Sequence, residues 1–114
     1  MMKKFAIALL CIASAGSAVA TVQMLDEERL ARSEESRIIA APIAGITNHF
    51  WYDYRTNVGE AQKELSSDLR HATDTEDRRD AWEEYRHELV HERGHYVKEM
   101  AERGHRYGLA IVGE

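Results

Sequence analysis

The stretch TEDRRDAWEEYRHELVHERGHYVKEMAER, residues 75–103, decides the fold. Trp82, Tyr85, Leu89, Tyr96 and Met100 recur three, four or seven residues apart, so a helix would carry them on one face. Glu76, Asp77 and Asp80 put negative charge in the first turns, where the helix dipole favours it. Thr73 with Glu76 forms a capping-box pattern. Gly104 is a natural stop, and Arg103 and Arg106 sit near the negative end. Arg93 interrupts the apolar stripe.

Upstream lies a second stripe of the same period. Trp51, Tyr54, Val58, Ala61, Leu65, Leu69 and Ala72 follow at spacings of three and four. Gly59 costs a helix about 1 kcal/mol relative to alanine. Asn57 with Glu60 is a second capping pattern, which allows a kink there. A tight connection at residues 71–75 implies an antiparallel pair. In such a hairpin the numbers of facing residues add to one total, and the stripes match on that rule. Leu65 meets Trp82, Val58 meets Leu89, Trp51 meets Tyr96 and Thr47 meets Met100. Tyr54 would face Arg93, which makes a cation–π contact an expectation. The fold class is therefore all-α, an antiparallel helical hairpin of two long amphipathic helices. Such a thin apolar stripe is marginal alone, and a homodimer or another envelope protein is the expected partner.

The start of the chain reads differently. Residues 1–20 combine Lys3 and Lys4, an apolar run from Phe5 to Ala13 and a small-x-small site at Ala18-Val19-Ala20. That is the pattern of a cleaved signal peptide, with the cut after Ala20, and it implies a periplasmic or secreted protein. The single cysteine, Cys11, would leave with it, so no disulfide or thiolate metal site is expected. Residues 21–41 form a charged arm, read as a short helix or as disorder. Residues 42–114 hold the hairpin and a short tail. The run IIAAPIAGI, 38–46, carries Pro42 and Gly45 and is expected to pack on the core as a linker.

The formal net charge of −5 argues against nucleic acid and anionic lipid surfaces, both of which select basic patches. The apolar runs are too short for a stable membrane span after cleavage. No Gly-rich phosphate loop, nucleophile elbow or cysteine–histidine pair occurs, and Ser33, Ser36, Ser66 and Ser67 have no activating triad.

The most pointed motif is His87-Glu88-Leu89-Val90-His91, an HExxH. The chain resembles the zinc peptidases in this pentapeptide, which would make His87 and His91 zinc ligands and Glu88 the base. The longer metzincin pattern is not matched, because Val97 stands three residues after Gly94. Counting about 100° per residue from Trp82, His87, His91 and His95 fall at about 140°, 180° and 220°, opposite the core. Catalysis needs a water-excluding site with an open coordination position, so an enzyme is not expected. The motif also belongs to a series, Glu84-x-x-His87, Glu88-x-x-His91 and Glu92-x-x-His95. Imidazoles one turn apart can chelate zinc, nickel or copper. Glu84, His87 and His91 form the compact trio, with His95 a turn beyond. A solvated acid–base face is the plainer alternative.

The block His49-Phe50-Trp51-Tyr52-Asp53-Tyr54 is the other concentration of unusual residues. Trp51 and Tyr54 fit the core stripe. Phe50 and Tyr52 cannot both do so, which makes Phe50, Trp51, Tyr52 and Tyr54 candidates for a partner-binding patch. The expected function is that of a small exported binding or accessory protein with a histidine ridge for divalent metal. A periplasmic chaperone or adaptor using the aromatic patch is the alternative, and a zinc peptidase a remote third. The architecture looks like the small periplasmic helical hairpins that act as metal sensors or chaperones, although the chain lacks their LTxxQ signature.

Overall fold

A computed structural model describes residues 23–108. The expected signal peptide and the 109–112 tail lie outside the described residues. Within them the chain is all-helical: α1 spans Asp26–Glu35, α2 His49–His71 and α3 Thr75–Glu102, with a 3-10 turn at Ile43–Gly45. None of these helices is long and apolar enough to cross a membrane.

The helix ends follow from local chemistry. Asn48 opens α2 by accepting from the Trp51 amide through Oδ1 at 3.1 Å. The helix then runs unbroken through Asn57, Val58 and Gly59, so no kink forms at the second capping pattern. Asn57 instead reaches across and donates to Glu92 at 2.9 Å. The cap of α3 falls one residue later than the sequence suggests. Asp74 accepts from the Asp77 amide at 2.8 Å, and Asp77 accepts in return from the Thr73 amide and hydroxyl. Asp74 and Asp77 thus take the capping roles expected of Thr73 and Glu76, with Asp77 holding the residue before the cap and not the cap itself. At the far end Gly104 takes φ +89°, and the His105 amide returns to the Met100 carbonyl at 2.9 Å.

Opposite ends of α2 and α3 meet. Asn48 touches Met100, the Trp51 and Tyr96 rings lie 5.8 Å apart, and Asn57 bonds Glu92. The two stripes are buried: Trp51, Tyr54, Val58, Ala61 and Leu65 from α2, and Trp82, Tyr85, Leu89, Tyr96 and Met100 from α3. Tyr54 stacks on Tyr96, with centroids 4.9 Å apart and planes 16° from parallel.

Residues 26–35, read from sequence as a short helix or disorder, form α1, which packs on α3. Ala31 is fully buried, and Ile39 and Ile43 of the linker complete the core. Three phenols of the stripes hold this layer. Tyr54 Oη accepts from the Ile39 amide at 2.9 Å, Tyr96 Oη accepts from the Ile43 amide at 3.0 Å, and Tyr85 donates to Glu35 at 2.5 Å. Irregular backbone next to an apolar core needs such partners for its amides. Arg93 does not serve Tyr54 as a cation–π partner. It donates to Glu34 of α1 at 2.8 Å, in a pair whose side chains are 28% and 11% exposed. The guanidinium over an aromatic ring at this layer is that of Arg32, 4.6 Å from the Trp82 centroid.

Candidate functional site

The core face of α3 is occupied by packing, so its chemistry must lie on the other sides. His87, His91 and His95 are exposed, as the angular count requires. The His91 and His95 rings lie side by side, centroids 6.4 Å apart and planes 14° from parallel. His87 stands one turn earlier on the same helix. Exposed imidazoles can turn about χ1 and χ2, so two neighbours can direct nitrogens at one ion.

Glu84 does not gather with His87 and His91. It turns toward α2, where single ligand atoms of Glu64, Asp68 and Glu84 lie within 4.8 Å of one another. Among the described residues, these are the three or more ligand groups brought closest together, and no histidine joins them. Like charges at that range repel. The Glu64 carboxyl is held above its ordinary value, first by Glu84 and then by burial, Asp68 and Glu88. Asp68 and Glu84 of the trio border an open hollow of about 260 Å³ at the α2–α3 connection, lined by His71, Asp77 and Asp80 among others. His71 Nδ1 lies 2.7 Å from the Ser67 carbonyl, to which it can donate. The facing rule sets Glu64 opposite Glu83, one residue short of Glu84, and a reading that followed only apolar stripes passed over the trio.

The aromatic block divides. Trp51 and Tyr54 are core residues, which removes them from a surface patch. Tyr52 is 53% exposed. Phe50 is half-buried, with the Arg103 guanidinium 4.2 Å from its ring centroid. Phe50 also borders a hollow of about 140 Å³ between α2 and α3, together with Asp53, Tyr54, Asn57, Glu92, His95 and Tyr96. The histidine ridge and the aromatic block, separate in sequence, therefore meet at one place.

The HExxH residues have a different setting from that of a peptidase. His87 and His91 are exposed on α3, Leu89 between them is core, and no strand occurs among the described residues. No family model matches this sequence, no curated protein matches it, and no solved structure matches its fold.

Proposed function

We propose that the protein is a small exported binding protein, an antiparallel helical hairpin that takes up a divalent transition metal on its histidine ridge. The observation that carries this reading is the side-by-side pair His91 and His95 on the exposed face of α3. Neutral imidazoles one turn apart suit zinc, nickel and copper, and a solvent-facing ridge lets a metal enter without opening the fold. His87 extends the ridge by one turn and can replace His95 as the second ligand of His91. Glu84 contributes less, because it is drawn toward Glu64 and Asp68. A second copy or another envelope protein is the proposed partner.

Peptidase chemistry is the reading that this arrangement favours least. His87 and His91 are exposed, whereas Glu88 is half-buried in the groove between α2 and α3 beside Glu64 and Glu84, so it is poorly placed to activate a water held on the ridge. Calorimetric titration of the chain with zinc, nickel and copper tests the proposal. Binding that is lost in His91→Ala supports it, and absence of binding to all three ions defeats it. A peptide-hydrolysis assay of the zinc-loaded protein, with Glu88→Gln beside it, tests the peptidase.

A further inference from the structure

The segment that joins α1 to α2 carries backbone strain at one place. The Pro42 carbonyl accepts from the Gly45 amide at 3.0 Å, which closes residues 42–45 into a tight turn. Ala44 stands third in that turn at φ +57° and ψ +19°, a left-handed position that favours glycine. Gly45 follows it at φ +71°. Ala44 is exposed, so its side chain gains little from packing that would offset the conformation. Extending the segment returns both residues to negative φ and releases the strain.

What precedes the turn is a separable unit. α1 and the linker through Ile43 meet the hairpin at a defined set of points. Glu35 bonds Tyr85, Glu34 pairs with Arg93, and Arg32 lies over Trp82. The Ile39 and Ile43 amides rest on the Tyr54 and Tyr96 oxygens. The apolar hold of α1 is small: Ala31 is buried, but Leu30 is 51% exposed. A helix of ten residues does not persist alone in water, so a released α1 must find the same surface again. A second copy of the chain carries that surface.

We propose that two copies exchange these arms. α1 and the linker through Ile43 of each protomer dock on the α2–α3 hairpin of the other, and the 42–45 turn is the hinge that opens. Every exchanged contact is one already made within the chain, so the closed and exchanged forms differ chiefly at the hinge. There the exchanged form is the less strained, the circumstance in which short hinges invite exchange. Residues 44–47, extended at about 3.4 Å each, reach about 14 Å, which carries the chain from one hairpin to a neighbour beside it. The exchange rests on the reading of a second copy as partner, names the surface that copy uses, and does not depend on metal.

Sedimentation equilibrium of the wild type and its hinge variants reads the exchange, with a chelator present to prevent bridging by metal. The wild type should dimerise. Ala44→Gly removes strain from the closed form and should weaken dimerisation about tenfold or more, because two hinges enter each dimer. Gly45→Ala adds a side chain that meets nothing within 4 Å, so it acts through φ alone. It should tighten dimerisation by about the same factor. Two charge variants give the second arm. Glu34→Arg and Arg93→Glu each set like charges against each other, within one chain or in a dimer of one variant. Mixed in equal amounts, they restore opposite charges at both docking points of an exchanged heterodimer. The mixture should associate about tenfold more tightly than either variant alone. Should a charge variant fail to fold, the hinge variants decide alone. A wild-type monomer at every concentration, a dimer unmoved by both hinge variants, or a mixture no tighter than its components would overturn the exchange. The second of these results would leave the homodimer standing, joined through another face.

Discussion

At the scale of single residues, the chain uses side chains with a polar tip and an apolar body at its seams. Tyr54 and Tyr96 bury their rings in the core and spend their oxygens on the Ile39 and Ile43 amides. Tyr96→Phe keeps the ring but leaves a buried amide without a partner, so it should cost about 1–3 kcal/mol in a urea melt. A change within error would show that water replaces the bond. Glu64 makes the opposite case. Its carboxyl is raised in the folded state, chiefly by Glu84, so ionisation there works against folding. The favourable contribution is full below its unfolded value and is lost as pH rises through the higher folded value. Glu64→Gln should therefore raise the Tm at neutral pH, with the gain fading in acid and in high salt. An unchanged or lower Tm at pH 7 would contradict this. The positions of the apolar residues were legible because period and burial coincide in them. The partners of Arg93 were not, since its choice of Glu34 over Tyr54 depends on α1 being present.

At the scale of elements, the helical stripes were readable in the sequence, and the arm was not. The Trp51 and Tyr96 rings lie 5.8 Å apart, and both stripes are buried except for Leu69 and Ala72 at the end of the first. Leu65→Ala or Leu89→Ala should each destabilise by about 2–5 kcal/mol, and a loss within the error of a melt would show the register to be wrong. The arm defeats periodicity because α1 needs one small residue at its contact. Ala31 is wholly buried against α3, and alanine carries little signal in an apolar pattern. Overpacking that point with Ala31→Leu should cost about 1–3 kcal/mol, whereas Ala40→Leu at an exposed linker position should be nearly silent. Similar melts for the two variants would contradict the docking of α1. The candidate sites divide in the same way. A ridge on one helix follows from spacing alone. The acidic trio needs residues from two helices, and spacing along either helix alone carries no sign of it.

At the scale of the whole molecule, α1 and the linker form a third layer on the two long helices, joined to them largely through phenols and one half-buried ion pair. This layer makes stability sensitive to alkali. Burial raises Tyr54 above the ordinary tyrosine value, and burial together with the Glu35 hydrogen bond raises Tyr85 further. Protonated phenols thus favour the folded state. Their contribution is intact below about pH 10, the unfolded value, and is lost as pH rises toward the folded values. The wild type should lose stability above about pH 10 more steeply than Tyr85→Phe, and parallel curves would remove Tyr85 from the account. Sedimentation at micromolar concentration should show self-association, and a compact monomer at every concentration would exclude the homodimer. The central claim concerns the ridge, and calorimetry with zinc at neutral pH tests it most directly. Zinc should bind the wild type saturably and raise its Tm, since a ligand of the folded state stabilises it. His91→Ala should abolish most of this, His95→Ala or His87→Ala should weaken it, and Glu88→Gln should barely change it. Binding should fade in acid, because protons compete with the metal for the imidazole nitrogens. No heat and no shift in Tm at about 100 µM zinc, a level that would detect even modest affinity, would contradict the account and leave the ridge a solvated face.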